Sequence, residues 1–587
     1  MEIQKTQNNR GRKMAIIGID LGTTNSLAAY WHEGEVRLIT DENGETLFPS
    51  VIGYVEGEGL IAGKQAKERL LTHSKDTVSS FKRFMGTDKK YSLGGTDYTP
   101  LELSAMVLER IKRNTEFLLK EEIEEAIITV PAYFNDKQRS DTKNSAKIAG
   151  LPVKRLINEP SAAALAYRMK YSKDDMTLLV FDFGGGTLDL SYVECFENII
   201  EIVAVAGDNY LGGDDIDRLI AEYFCRENQL NQETLNVHQY AAVLKCAEAS
   251  KQQLENENGT VMKLNIDGTD YSTLLNDDIL FEMCMPLFSK IKNLFLRILN
   301  DAGSKVSDID DLIMVGGSSR LKVVRRFLTE LLGKEPIVLG ETDKVVAMGA
   351  GVYAGIRSRN KDIKDMLLTD VCPFTLGVEC YHNNTSTHGY MLPMIERNST
   401  LPSTVHKSLV TLSDYQKEIK VSIYQGEEYY AKDNLFLGAV NIAVEPKPAG
   451  MEAVDVSFTY DINGILYVEV VNSQKERRHI LLSNQGLSND ELERYMKEME
   501  QLLIPPIQKK ENQEILLRLS DYYENSLGER RSQLGSLIDW FVEGLQSGRK
   551  HIVKRVIDEA KSQLEKLDTM QEKGEELLFD GDLKKKT

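Results

Sequence analysis

The sequence predicts a multidomain chain in which an α/β domain is followed by an antiparallel β-sandwich or barrel and then by a helical tail. Three changes of texture predict it. From Ala15 to about Arg359, apolar strands alternate with helical patterns, as in α/β folds. Thr375–Val471 is rich in short strands separated by turn residues. From Leu487 onward the apolar spacing is helical, interrupted at Pro505–Pro506. The predicted boundaries are 14–360 for the α/β domain, 361–371 for a linker, 372–486 for the β-rich module and 487–587 for the helices. A chain of 587 residues has room for about four domains.

The α/β domain opens with Ile16–Ser26, IIGIDLGTTNS. An apolar strand runs into Asp20, Gly22, Thr23, Thr24 and Asn25. Leu27–Tyr30 and Val36–Thr40 read as further strands of a meander that turns at His32–Glu35, and helical spacing follows at Lys64–Leu71 and Leu101–Lys120. Between those helices Lys82 and Arg83 lie among Phe81, Phe84 and Met85. Cations beside aromatics read first as snorkelling surface residues. The sharper alternative is that Lys82 reaches a terminal phosphate or an attacking water. Glu125–Asn135 reads as a buried strand stopped by Pro131, with Asp136 as N-cap of a helix running to Lys147. In Leu156–Tyr167, LINEPSAAALAY, a strand end meets Glu159–Pro160 and an Ala-rich helix suited to close packing. Glu159 reads equally as a cap or as a functional carboxylate.

Leu178–Ser191, LLVFDFGGGTLDLS, organises the domain. Four apolar residues lead into Asp182, and Gly184, Gly185, Gly186 and Thr187 form a hinge. Asp189 then lies on a second strand whose Leu188, Leu190 and Tyr192 face the other way. Glycines let backbone N–H groups close on an anion such as a phosphate. Asp182 and Asp189 repel phosphate, and they make sense if a hydrated Mg²⁺ sits between. Alone, the stretch is equally an ordinary glycine-rich hairpin. Its likeness to IIGIDLGTTNS tips the balance. Asp20 aligns with Asp182 and Gly22 with Gly184, roughly 160 residues apart, which suggests a duplicated fold gripping one polyphosphate from both sides. Neither loop is GxxxxGK[ST], and neither is a GxGxxG opening a helix.

Downstream, Gly207–Asp217 is another Gly–Gly–Asp turn, containing Gly212 and Gly213. Tyr240–Gln253 is a helix with Glu248 and Lys251 at i, i+3. Leu312–Arg326 is a third strand–glycine–helix junction, with Gly316, Gly317, Ser318 and Arg320, where a purine has room to lie. Asp343–Gly355 is a small-residue helix. Lys361–Asp370 reads as a linker around the apolar Met366–Leu368, residues that dock onto something. Candidate strands then run over Phe374–Cys380, Ser408–Thr411, Glu418–Tyr424, Leu437–Val444, Val454–Tyr460 and Ile465–Val471, with no catalytic cluster among them. Leu487–Leu503 begins with the capping box Ser488–Glu491. Lys509–Leu527, Glu529–Gln546 and Arg549–Leu578 complete the helical tail.

The composition sets limits. With 42% hydrophobic and 27% charged residues the chain can bury large cores. A net charge of −19 argues against a whole-surface nucleic-acid or anionic-membrane binder. There is no apolar run of about 18 residues, as a membrane span needs. Met1–Lys13 is polar, without the apolar core of a secretory signal, and reads as a disordered tail. The six cysteines show no zinc spacing and read as free thiols of a cytoplasmic protein.

Taken in order, GIDLGTTNS, VPAYFNDKQR, INEPSAAALAY, FDFGGGTLDLS, GDNYLGGDDID, VGGSSR, RNSTLP and DINGIL resemble the seventy-kilodalton heat-shock chaperones of the bacterial DnaK type, with the shorter HscC branch nearest. The resemblance covers about Ile16 to Leu503 and is collinear. It implies an actin-like (sugar kinase/heat-shock) ATPase domain, a β-sandwich peptide-binding domain and an α-helical lid. It also implies ATP/ADP, Mg²⁺ and K⁺ as cofactors. Asp20, Gly22, Thr23, Thr24, Asn25, Gly184, Gly185, Gly186 and Thr187 would surround the phosphates, with Gly212 and Gly213 alongside. Asp20, Asp182 and Asp189 would hold the metals, largely through water. Lys82 and Glu159 would assist attack of water, with Thr187 nearby. Glu248, Lys251, Gly316, Gly317, Ser318, Arg320 and Asp343 would line the adenosine pocket.

By the same resemblance Pro131, Arg139, Arg155 and Asp370 would relay between nucleotide and domain interface. Val378, Tyr381, Leu409, Leu412, Ile419 and Val421 would form the peptide cleft, with Tyr381 and Leu412 arching over it. Implied partners are extended client polypeptides, a J-domain co-chaperone and a nucleotide exchange factor, with no nucleic acid, no membrane and a monomeric chain. Gln252 and Glu255 stand where some members carry Arg and Ser near the adenine, the linker reads MLLTD, and the lid is abbreviated. The alternatives are a sugar or acetate kinase and an actin-like filament protein on the same fold. Neither needs the β-rich module and helical tail.

Overall fold

Two sheets of one design organise the first part of the chain. The computed structural model describes residues 14–70, 72–171, 175–196, 198–338, 340–358, 366–382, 388–462, 464–482, 507, 509–546 and 550–573. Two units meet in sequence between Pro373 and Phe374. In the first unit, β1 (Met14–Asp20), β2 (Asn25–His32), β3 (Glu35–Leu38), β4 (Glu122–Val130) and β5 (Val153–Asn158) lie in the order β5-β4-β1-β2-β3. In the second sheet, β6 (Met176–Phe183), β7 (Leu188–Phe196), β8 (Ile199–Asp208), β9 (Asp311–Val315) and β10 (Ile337–Val338) lie in the order β10-β9-β6-β7-β8. β1 is antiparallel to β2 and parallel to β4, and β6 is antiparallel to β7 and parallel to β9. This shared path is what a duplicated fold requires.

Besides the short helix Lys64–Arg69, the α-helices described in this unit are α1 (Pro100–Leu119), α2 (Asp136–Ile148), α3 (Glu159–Lys170), α4 (Gly213–Glu227), α5 (Val237–Gln253), α6 (Asp277–Ala302), α7 (Lys322–Leu332) and α8 (Val345–Arg357). Local chemistry sets their starts. Thr99 and Glu102 form a capping box at α1, with Pro100 in the first turn. The start of α2 corrects the sequence reading. Asn135 is the N-cap, in a capping box with Gln138, and Asp136 is the first helical residue. The side-chain alternation of β6 separates two cores. Leu179, Phe181 and Phe183 join an outer core with Phe224 and Phe295, whereas Leu178 and Val180 join a central one.

That central core is built on α3 and α8. Small residues bring them to backbone contact, and a Cβ on Gly349 would overlap the Ala162 carbonyl. The stretch read as a linker, Lys361–Asp370, with apolar residues that dock, is over its described part a strand, β11 (Leu367–Thr369). It pairs parallel to β8, with Ile200 opposite Leu368. β8 is otherwise the edge of its sheet, with unpaired backbone groups that accept an added strand. Val371 is buried in the central core, with Met366 and Leu368 packed on it.

The second unit holds two four-stranded antiparallel sheets and a helical bundle. β12 (Leu376–Cys380), β13 (Tyr390–Ile395), β15 (Glu418–Gln425) and β16 (Leu435–Ala443) form one sheet, in the order β13-β12-β15-β16. β14 (Ser403–Val410), β17 (Ala453–Tyr460), β18 (Leu466–Asn472) and β19 (Arg477–Leu482) form the other, in sequence order. β16 packs on β18 and β19, making a sandwich. The sequence reading missed β13, β19 and the first half of β14. All three are edge strands. Pro393 interrupts β13 and Arg477–Arg478 opens β19, features that edges tolerate and that mask strand patterning. Helices α9 (Lys510–Glu524), α10 (Gly528–Gln546) and α11 (Lys550–Lys573) share one core that includes Leu519, Phe541 and Leu564. Arg518 and Tyr522 both bond Asp568 across it. The predicted helix Leu487–Leu503, its Ser488–Glu491 box and the Met1–Lys13 tail lie outside the described residues.

Candidate functional site

Each sheet contributes one hairpin whose tip carries an aspartate, a glycine and a threonine, and the two tips meet. A Cβ on Gly185 would strike the Thr24 hydroxyl, so the two tips approach closely where the side chain is absent. Beneath them lies a cavity of about 380 Å³. From the first hairpin Asp20, Gly22, Thr23, Thr24 and Asn25 line it, and from the second Asp182, Gly184, Gly185 and Thr187. Lys82 and Glu159 face it from the short helical turn Phe81–Phe84 and from the first residue of α3. Glu248, Lys251, Gly316, Gly317, Ser318, Arg320 and Asp343 wall the far end.

Three glycines and one aspartate named from sequence stand behind that wall. Gly186 packs against the Arg83 side chain, and the Gly212 N–H donates to Asp215 at 2.8 Å. The Gly213 carbonyl accepts from Lys251 Nζ at 3.1 Å. Asp189 sits opposite Asp182 across the hairpin, buried, and accepts from the Tyr133 N–H at 3.2 Å.

Lys82 does not snorkel. Its side chain is 4% exposed and Nζ donates to Glu159 Oε1 at 2.8 Å. Arg83 is buried too, paired with Asp214 at 3.1 Å and Asp215 at 3.4 Å. Those partners were not legible in the sequence, because they stand more than a hundred residues away. Burial and the Glu159 charge push the Asp20 carboxyl up to about 7, although Thr129 donates to it at 3.0 Å. Asp189 is raised to about 7 by the same two causes. Burial also drives Asp182 well above the ordinary carboxylate range, with Glu159 and Asp189 repelling it. A divalent cation relieves such crowding, so the carboxylates suit Mg²⁺. Among the described residues no three acidic, His or Cys side chains converge tightly enough to ligate an ion directly. Asp20 and Asp182 would therefore hold it through water.

Phosphate-sized glycine hairpins, a buried lysine and a carboxylate cluster in one cleft describe a polyphosphate site. The family model for Hsp70 protein matches residues 16–578. The chain belongs to the Hsp70 family. As an Hsp70 it is an ATP-dependent molecular chaperone of protein folding and the stress response, and an ATPase that yields ADP and phosphate. The kinase alternative is not supported. Hsp70 proteins bind ATP or ADP with Mg²⁺, and they bind client polypeptides and co-chaperones. Among the described residues no helix is long and apolar enough to cross a membrane.

Of the four residues named as a relay, Pro131, Arg139 and Asp370 lie along one connected path. The turn after β4, Pro131 to Phe134, gives Tyr133 to Asp189, and the Phe134 ring stands 5.5 Å from Lys82 Nζ. Arg139 donates to the Phe134 carbonyl at 3.0 Å and the Ala132 carbonyl at 3.2 Å, closing that turn. It also donates to Asn158 Oδ1 at 2.6 Å, and Asn158 Nδ2 donates to Asp370 Oδ2 at 2.6 Å. Arg155 lies 5.0 Å over the Tyr353 ring. Asn158 was missed as a functional residue. Its signal was its place before Glu-Pro, the N-cap position of α3, yet its side chain makes no cap bond and spans Arg139 and Asp370 instead.

Burial holds the Asp370 carboxyl above the ordinary carboxylate range, against Arg139, Arg155 and the Asn158 bond. In a released linker the same carboxyl titrates in the ordinary range, so docking takes up a proton. Docking is therefore favoured at low pH and loosens as pH rises through the docked value. Protease cleavage of the linker should slow as pH is lowered toward the range of the docked carboxyl, and Asp370→Asn should flatten that dependence.

Val378, Ile419 and Val421 share the inner face of one sandwich sheet, since Val378 pairs with Ile423 and the three β15 positions alternate. Leu409 lies on β14, opposite Val454. Leu412 follows in a loop, its N–H donating to Gln416 at 3.1 Å. Tyr381 is 37% exposed, with its hydroxyl on Glu379 at 2.9 Å.

Proposed function

We propose that the cavity hydrolyses ATP with Lys82, Glu159, Thr187, Asp20 and Asp182 as its working groups, and that hydrolysis is reported to the peptide cleft through Asn158 and the linker. Lys82, held by Glu159, places a fixed positive charge where the terminal phosphate enters. Glu159 and the Thr187 hydroxyl orient the attacking water. When bound, Mg²⁺ would neutralise phosphate oxygens; Asp20 and Asp182 would hold its water shell with Asp189 supporting them, and the same carboxylates would receive K⁺. Phosphoryl transfer then depends on positioning and charge rather than on a covalent step. Glu248, Lys251, Ser318, Arg320 and Asp343 receive the nucleoside.

Supporting the reading above all is one adjacency in the chain. Asn158 touches the linker and its neighbour Glu159 touches Lys82 inside the cavity. A shift of α3 at its first turn moves both contacts together. Pro131, Arg139, Arg155 and Asp370 complete the relay. Val378, Leu409, Ile419 and Val421 form the apolar floor of the peptide cleft, with Tyr381 and Leu412 as its arch, and extended clients bind there through main-chain bonds and an apolar pocket. The domain boundaries are 14–360, 361–371, 372–486 and 487–587. We further place the chain in the DnaK type, nearest the HscC branch. It works as a cytoplasmic monomer with a J-domain protein at Arg155 and a nucleotide exchange factor.

Release of a fluorescent extended apolar peptide tests this. ATP should speed release from the wild type. Asn158→Ala should keep basal hydrolysis within about threefold but lose roughly tenfold of the ATP-driven acceleration, as expected for about 1.4 kcal/mol of lost coupling. Peptide release indifferent to ATP in the wild type would sink the coupling.

A further inference from the structure

The cavity has two unlike ends. One is closed by the glycine hairpins and the Lys82–Glu159 pair. The other is walled by the end of α5, the turn after it, and Arg320, Thr342 and Asp343. At that second end the cationic donors are already engaged. Lys251 Nζ donates to Asp217 at 2.7 Å and to the Gly213 carbonyl. Arg320 donates to Thr342 Oγ1 at 3.0 Å and to Asp343 Oδ2 at 2.6 Å. The Gln252 amide turns to Glu248 at 3.3 Å.

Glu255 differs. Its half-buried carboxylate lines the same end, and among the described residues it accepts no side-chain hydrogen bond and joins no ion pair. Burial raises its pKa, with Asp343 adding to the shift and Arg320 and Lys251 opposing it. A base seated here meets two vacant acceptor oxygens. Adenine offers them its amino N–H, whereas guanine offers N1–H and the 2-amino group side by side, a match for both oxygens of one carboxylate. A polar group left unmatched on desolvation costs affinity, so such a carboxylate selects for N–H donors.

We propose that Glu255 reads the base of the bound nucleotide and admits guanine nucleotides alongside adenine ones. This assignment rests on the cavity being the nucleotide site. The chemistry it predicts is a purine triphosphatase whose selectivity is set by one carboxylate after α5.

The test is displacement of a fluorescent ADP from the full chain with Mg²⁺ by ATP, GTP and ITP, in wild type, Glu255→Ala and Glu255→Gln. In the wild type GTP should bind within about tenfold of ATP. ITP, which keeps N1–H but lacks the 2-amino group, should bind more weakly than GTP. Glu255→Ala should weaken GTP at least tenfold more than ATP, roughly the worth of one charge-assisted hydrogen bond. Glu255→Gln keeps the shape and one acceptor, and should fall between. ATP binding by each variant reports that its site is folded. GTP more than tenfold weaker than ATP in the wild type, or a GTP-to-ATP ratio unmoved by both substitutions, overturns the proposal. Failure of every triphosphate to displace the probe from wild type would overturn the site assignment instead.

Discussion

Lys82→Ala is expected to cut single-turnover ATP hydrolysis by about a hundredfold to a thousandfold, the effect of removing one preorganised charge from a transition state. ATP binding should survive, because the hairpin backbones and the nucleoside end remain. A second effect follows from burial. The Lys82 side chain is 4% exposed and its partner Glu159 9%. Removing the lysine leaves a buried carboxylate unpaired, at a cost of about 3–5 kcal/mol in the nucleotide-free protein. Pairing Lys82→Met with Glu159→Gln should restore most of that stability and none of the activity. Rapid-quench hydrolysis and denaturant melts of the wild type and these two variants separate the two effects. Near-normal hydrolysis by Lys82→Ala would remove the lysine from the chemistry.

Gly349→Val is expected to prevent the first unit from folding. Any Cβ at Gly349 overlaps the Ala162 carbonyl, and main chain on a packed helix cannot give way. Even Gly349→Ala should cost more than about 3 kcal/mol, at the severe end of overpacking. Gly333→Ala provides the contrast. Gly333 caps α7 at φ 71° with nothing within 4 Å of a Cβ, so only backbone strain of about 1 kcal/mol is at stake. Thermal melts of both should differ widely. Similar melts would mean that α3 and α8 can separate without harm.

The hairpin LLVFDFGGGTLDLS and its partner IIGIDLGTTNS were legible because a strand, a carboxylate and glycines in fixed order leave few alternatives, and because they occur twice. Lys82 was ambiguous. A cation among aromatics has the same local pattern whether exposed or buried, and only Glu159, seventy-seven positions on, decides it. Asn158 was hidden by its position, since an Asn before a helix already has an ordinary job there. The Arg83 pairs with Asp214 and Asp215 belong to tertiary contact alone. In the sandwich the central strands and β16 declared themselves by their apolar pattern, while Pro393 and Arg477 disguised two of the outer ones. Glu255 was visible as an odd residue, but its meaning came from the engaged donors around it.

The docked strand β11 also acts as a dust cover. While Leu367–Thr369 lies along β8, no open row of amides remains along Ile199–Glu201. Were this strand to leave, that row and the oily flank of Ile199 and Ile200 would face solvent, inviting any passing extended chain to add itself. A chaperone working among unfolded polypeptides would thus bare an adhesive seam of its own if it let go of its own tether. The brevity of β11, three residues long, keeps that seam short enough to be reclaimed by the chain that belongs there.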